Sequence, residues 1–357
     1  MKIVILGLSI TSSWGNGHAT TYRGLVRALA ARGHEVTFLE RDVPWYAEHR
    51  DFPDSDHVAI RLYRSLDELS RGFAAAIRAA DLTIVGSYVV EGTAVCDWVL
   101  ETARGIRAFY DIDTPITLSE LASGKAEYLA ASHIPEFDLY LSFSGGPVLR
   151  WIESHHGAKM ARPLYCSVDP QSHAPSTQEP CWALGYMGTY CEDRQPALQE
   201  LLLDPARGAP GQRFVVAGPQ YPPDLRWPPN VDRIDHVAPS DHGAFFGAQR
   251  FTLNLTRRAM IDIGYSPSVR LFEAAACGSA IISDSWPGLE ELFTPGKDIL
   301  VARTAHDTAR FLSDISDDDR RAIGDRARQR VLTEHTAAVR AETLEGYIRE
   351  IEGAHTA

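Results

Sequence analysis

The stretch Ser266-Pro267-Ser268-Val269-Arg270-Leu271-Phe272-Glu273-Ala274-Ala275-Ala276-Cys277-Gly278-Ser279-Ala280-Ile281-Ile282-Ser283-Asp284 joins a helix start, a carboxylate on an apolar run and a short strand. Ser and Pro ahead of an alanine-rich run are helix N-terminal signals, so free amides and the positive dipole end should point beyond Tyr265. Such an end suits a diphosphate. Glu273 falls one to two turns into the helix, among Phe and Ala, where a carboxylate is costly unless it is hydrogen-bonded. A ribose diol would supply those bonds. Cys277-Gly278 closes the helix, and Ala280-Ile281-Ile282 reads as a buried strand, which wedges the helix against a sheet.

Outward from this unit, short apolar runs alternate with helical patterns, the mark of parallel sheets covered on both faces. At 357 residues the chain exceeds one ordinary core and fits two domains. In the first half, strands are predicted over 2–8, 35–39, 82–85, 106–110, 137–143 and 164–166, with helices over 20–32, 66–80, 92–103 and 148–155. A Pro-, Ser-, Gln- and His-rich stretch from Ser167 to Pro180 then interrupts the pattern as a linker. Strands over 183–187, 214–217, 232–237, 251–255, 280–283 and 299–302 form the second series. The expected organisation is an N-terminal Rossmann-like domain over 1–168, a second over 169–335, and a C-terminal helix within 336–357 crossing back to the first. Two doubly wound domains facing each other would form a cleft at their strand ends.

A net charge of −12 argues against a basic nucleic-acid surface or an anionic-membrane patch, while leaving room for a local phosphate site. Five scattered cysteines without C-x-x-C spacing suggest neither a disulfide framework nor a zinc site, and a reducing, cytoplasmic setting is the simpler expectation. The apolar N-terminal run is too short for a signal peptide or an integral membrane segment.

Gly15, Asn16 and Gly17 lie in the loop that follows the first strand and opens the first helix; they let a substrate approach backbone closely. Their spacing is not the G-x-G-x-x-G dinucleotide fingerprint, although Glu40 ends the second strand where a dehydrogenase has its ribose-binding acid. His18 is positioned either as a general base toward an acceptor hydroxyl or as a helix-start residue that bonds the loop. Asp111 and Asp113 end a strand on one face, with Pro115 turning the chain away from helix. Asp113 would orient His18 or bind acceptor hydroxyls, or the pair would simply cap a turn. A divalent metal on this Asp-x-Asp pair is disfavoured, since the diphosphate-like helix start belongs to the other half of the chain.

In the second half, Gly188 follows a strand and Arg194 opens the next helix, where a guanidinium can meet a diphosphate or remain solvated. Arg257 and Arg258 follow the 251–255 strand, so that one can meet phosphate and the other solvent. Arg270 sits on the key helix itself, facing a ligand or pairing with a surface acid.

Taken together, Gly264 to Gly278, Ile281-Ile282-Ser283-Asp284, Pro287-Gly288-Leu289-Glu290-Glu291, Asp111 to Pro115 and Gly15 to His18 resemble the GT-B glycosyltransferases, in the group-1-like branch with the CgeB-like spore-protein transferases. The resemblance implies an α/β GT-B fold, two Rossmann-like domains facing a central cleft. It implies a hexosyltransferase-type enzyme moving a sugar from a nucleoside-diphosphate sugar, such as a UDP-sugar, to a hydroxyl of a small molecule or glycan. No cofactor and no metal are expected. By the same resemblance, Glu273 binds the ribose, Ser266, Ser268 and Val269 cradle the diphosphate, and Gly188, Arg194, Arg258 and Arg270 complete the donor side. The acceptor would lie against Gly15, Asn16, Gly17 and Asp111, with His18 and Asp113 catalytic. Two departures stand out. Tyr265 replaces the first Glu of the retaining members' Glu-x7-Glu pattern, and Thr189 and Gln195 replace their Arg and Lys. Inverting displacement through His18 and Asp113 and front-face retention both stay open. A nucleotide-sugar epimerase or hydrolase, or a non-catalytic sugar- or nucleotide-binding protein, are the alternative readings.

Overall fold

The computed structural model describes residues 1–15 and 17–356. The chain divides into two compact units, Met1–Cys166 with the chain from Ala337 onward, and Ser167–Thr336. The first holds a seven-stranded sheet of β1 (Lys2–Gly7), β2 (Glu35–Arg41), β3 (Ala59–Tyr63), β4 (Leu82–Gly86), β5 (Ile106–Asp111), β6 (Leu139–Ser142) and β7 (Ala161–Pro163). Its order is β3-β2-β1-β4-β5-β6-β7, parallel throughout, with Ile3 opposite both Val36 and Leu82. β1 and β4 are buried along almost their whole length, as strands covered by helices on both faces must be. The order reverses between β1 and β4, so the loops after those strands flank the point where doubly wound sheets bind ligands.

The second unit carries β8 (Trp182–Met187), β9 (Phe214–Ala217), β10 (Val231–Ile234), β11 (Gln249–Asn254), β12 (Ala280–Ser283) and β13 (Leu300–Val301). Their order, β10-β9-β8-β11-β12-β13, repeats the doubly wound pattern with its reversal between β8 and β11. The helix Val269–Ala276 packs between β11 and β12, and Gly278 ends it at φ +75, a left-handed turn that suits a residue without a side chain.

Three expectations are corrected. β3 has no counterpart among the predicted strands, because its mostly half-buried residues give no clean alternation. The strand expected over 164–166 is Ala161–Pro163, three residues earlier. Pro115 does not turn the chain from helix; it occupies the first turn of the helix Thr114–Ser123, where its missing N–H costs nothing.

The helix Ala337–Thr356 belongs to the first unit, buried on that unit through Ala341, Leu344, Ile348 and Ile351. Glu345 takes 2.7 Å bonds from Nε and Nη2 of Arg32 and lies 2.8 Å from Nε2 of His34. The Tyr347 hydroxyl donates to the Pro163 carbonyl at 2.9 Å and Arg340 Nε to that of Tyr165 at 3.1 Å. These contacts tie the helix both to the turn ahead of β2 and to the end of the first strand series.

Candidate functional site

On the second unit, Ser268 is the N-cap of the helix Val269–Ala276, its side chain accepting from the Arg270 amide. Ser266 is buried, and Tyr265 precedes it at φ +50 with its amide donating to the Pro287 carbonyl at 2.6 Å. The Tyr265 ring lies over Gly288, where a Cβ would come within 2.5 Å of it. The position of the missing first Glu thus carries an aromatic ring held by its own backbone.

Arg270 turns inward, not toward a surface acid as one expectation had it, and is 7% exposed. Its Nε donates to the Met187 carbonyl at the end of β8, and its Nη1 donates to Asn254 Oδ1 at 3.1 Å at the end of β11. Its guanidinium carbon stands 4.7 Å from the Tyr186 ring centre. Gly188 leaves room for this packing. A Cβ there would stand 2.5 Å from the Tyr186 hydroxyl and 2.8 Å from Arg270 Nη2. Arg270 therefore fixes the helix start at the switch point between β8 and β11.

Arg194 is half-buried and donates from Nη2 to the Thr189 carbonyl at 2.7 Å. Arg258 is exposed: its guanidinium pairs with Asp262 at 2.9 Å, while its amide donates to Asp193 at 2.9 Å. Of the two adjacent arginines, Arg257 is the more buried.

Glu273 is 3% exposed and faces two histidines. Its Oε1 lies 3.5 Å from Nε2 of His173 and its Oε2 3.7 Å from Nδ1 of His242. The two ring nitrogens are 3.2 Å apart. Sequence reasoning missed both histidines: His173 falls in the expected linker and His242 opens a six-residue helix, and no spacing rule joins them to Glu273. Among the described residues, these three are the one group of His, Cys, Asp and Glu side chains whose donor atoms converge, within 4.8 Å of one another. Burial pushes the His242 imidazole below its usual range, with Glu273 opposing.

On the first unit, Glu40 is fully buried and accepts from the amides of Ile10 and Thr11 at 2.7 and 3.0 Å, from Thr11 Oγ1 at 2.6 Å and from Ser9 Oγ at 3.1 Å. The acid at the end of β2 is consumed by the loop after β1, which gives it a structural task in place of a ribose. Gly15 has φ +62 in open space, Gly17 is the N-cap of the helix His18–Ala31, and Asn16 lies outside the described residues. The His18 ring meets Phe143 edge-on at 5.8 Å.

Asp111 and Asp113 have different surroundings despite their spacing. Asp111 is fully buried; its carboxylate accepts from the hydroxyls of Thr117 and Tyr140, both at 2.6 Å, and from the Asp113 amide at 3.2 Å. Burial pushes its carboxyl up to about 6 against the pull of those bonds. Asp113, half-buried, is the N-cap of the helix Thr114–Ser123 and accepts from the Tyr88 hydroxyl at 2.8 Å. Tyr88 sits at φ +65, an uncommon conformation for a residue of its size. The sequence carries no local signal for Tyr88. Among the described residues, no helix is long and apolar enough to cross a membrane.

Residues 194–346 match the sequence model of a family described as glycosyl transferase-like. Among curated proteins nothing matches. Solved structures do. Sucrose-phosphate synthase from Thermosynechococcus elongatus superposes with a TM-score of 0.69 at 16% identity, covering 99% of both chains. HepE of Anabaena, in complex with UDP and glucose, gives 0.69 at 13% identity over 98% of this chain and 100% of its own. An alpha-glucosyltransferase in complex with UDP-glucose and DNA containing an abasic site gives 0.68 at 13% over 98% and 99%. The two parallel-sheet Rossmann-like units and these neighbours together establish that the chain has the GT-B fold.

Proposed function

We propose that the chain is a glycosyltransferase, hexosyltransferase-type and of the CgeB-like group, that moves a sugar from a nucleoside-diphosphate sugar to a hydroxyl acceptor. The observation that carries this reading is the placement of the Val269–Ala276 helix start at the β8/β11 switch point, fastened there by Arg270, within the segment that matches the glycosyl transferase-like family. HepE with UDP and glucose, and the alpha-glucosyltransferase with UDP-glucose, favour a UDP-sugar as donor.

In this reading the amides from Ser266 to Val269 and the helix dipole face charge that develops on the leaving diphosphate, with Arg194 beside them. That charge is carried without a divalent ion at the diphosphate and without a cofactor. Gly188 lets the loop after β8 approach the donor; Arg270 acts by positioning the helix and Arg258 from the rim. Glu273 meets the ribose. On the first unit, Gly15, Asn16 and Gly17 admit the acceptor beside Asp111, and His18 takes the acceptor proton with Asp113 as its partner. The net charge of −12 favours a small molecule or glycan acceptor over nucleic acid, although one structural neighbour is bound to DNA. The same reading places the enzyme in the cytoplasm.

Thermal-shift measurement against UDP, GDP, TDP and their sugars, followed by product analysis with an acceptor panel, tests the proposal. A melting temperature raised by UDP or a UDP-sugar, with sugar transferred to an acceptor, is expected. No shift with any nucleotide would overturn it. Free sugar or a rearranged nucleotide sugar as sole product would instead select the hydrolase or epimerase alternative.

A further inference from the structure

We propose that His173, His242 and Glu273 form a binding site, inside the second unit, for a divalent transition-metal ion of the zinc class. Nε2 of His173 and Nδ1 of His242 are 3.2 Å apart, and the two carboxylate oxygens of Glu273 lie one against each ring, Oε1 3.5 Å from His173 and Oε2 3.7 Å from His242, so that one ligand atom from each residue falls within 4.8 Å of the others. Metal–ligand bonds of about 2.0–2.2 Å at tetrahedral angles place neighbouring donors about 3.3–3.6 Å apart, a spacing close to the nitrogen–nitrogen and the nearer nitrogen–oxygen separations, with either carboxylate oxygen within reach of the ion. The imidazole–carboxylate separations are too long for good hydrogen bonds, and at most one proton can lie between the two ring nitrogens. Two ring nitrogens and a carboxylate thus converge from side chains that are only 2%, 10% and 4% exposed, an arrangement that a shared cation stabilises.

The chemistry of the donors selects the ion. Two imidazoles with one carboxylate suit zinc and its neighbours, whereas magnesium and calcium take oxygen sets. The His242 ring is held in place by the Phe246 ring, whose centre is 6.0 Å away edge-on. Three protein ligands leave a fourth position for water or a hydroxyl oxygen, so ion binding and the ribose role proposed for Glu273 can coexist. The site is separate in kind from the Asp111–Asp113 pair, and it stands whether or not the chain transfers sugar.

The test uses the full chain stripped with chelator and titrated with cobalt(II), then with zinc. Expected are about one equivalent bound, the intense visible absorption of tetrahedral cobalt, its displacement by zinc, and loss of all three in His173→Gln and His242→Gln variants that keep the wild-type circular dichroism. Should those variants fail to fold, the wild-type cobalt spectrum and its displacement by zinc decide. A weak octahedral spectrum, no bound cobalt, or folded variants that bind as the wild type does would overturn the site and leave the three side chains as a metal-free polar cluster. Nucleotide binding is read separately, so failure here leaves the transferase proposal standing.

Discussion

Nη1 of Arg270 lies 3.1 Å from the side-chain oxygen of Asn254, and the same guanidinium reaches the Met187 carbonyl. One side chain thereby joins the first turn of the helix Val269–Ala276 to the ends of β11 and β8. A guanidinium serves here because its planar fork satisfies acceptors on two strands at once, which an ammonium on a flexible stem does not.

Arg270→Lys should therefore destabilise the second unit by about 3 kcal/mol, since buried carbonyl oxygens lose their donors. Gly188→Ala acts on the same contact, its Cβ arriving 2.8 Å from Arg270 Nη2. In urea denaturation the double variant should lose less than the sum of the single losses. Strict additivity would show that the two positions act independently.

Glu273→Ala is expected to weaken UDP binding at least about tenfold, a loss of about 1.4 kcal/mol, if the carboxylate holds the ribose. Calorimetric titration with UDP reads this directly, and the melting temperature controls for folding. Unchanged affinity in a folded variant would remove Glu273 from the donor site.

Much of the second unit is legible because its signals are local. Ser268 as a cap, the apolar run of the helix and the glycine after Cys277 each act within a few residues. Side chains whose roles depend on long-range packing were not legible. Arg270 reads as a helix-surface residue until the ends of β8 and β11 are brought beneath it, and His173 looks like linker composition until it meets His242 and Glu273. Glu40 misleads in the opposite direction: its position imitates a ribose-binding acid, but four donors of the loop after β1 surround it. Pro115 shows the limit of a local rule, because proline ends a helix from within yet starts one from its first turn.

His18→Ala should lower turnover by roughly 10²–10⁴-fold while donor affinity stays near wild type, the effect expected of a lost general base. Steady-state rates paired with UDP calorimetry separate the two quantities. Wild-type turnover would restrict His18 to its contact with Phe143 and the start of its helix.

Tyr88→Phe removes the 2.8 Å hydrogen bond to Asp113 while keeping the ring. If Asp113 supports His18, turnover should fall by about tenfold, a change of about 1.4 kcal/mol in the barrier, with little change in donor affinity. The pH–rate profile supplies the second readout: the limb that reports the base should move in Tyr88→Phe. A profile and rate identical to wild type would confine Tyr88 to packing.

Asp111 offers a pH-dependent test of the buried strand end. Burial raises its carboxyl from 3.8 to about 6, only partly offset by the hydroxyls of Thr117 and Tyr140. The folded chain then binds this proton more tightly than the unfolded chain does. The associated stability is present below the unfolded value and is lost as pH rises through about 6, amounting to about 3 kcal/mol once the carboxylate is charged in both states. Asp111→Asn keeps the shape and removes the titration. Relative to wild type, the variant should gain stability between about pH 4 and about pH 7.5, by up to about 3 kcal/mol, because only the wild type must bury a charge at the higher pH. Urea denaturation of both proteins across this range measures the difference. A wild-type-minus-variant stability that does not change with pH would mean that Asp111 titrates in the folded chain as it does in the unfolded one.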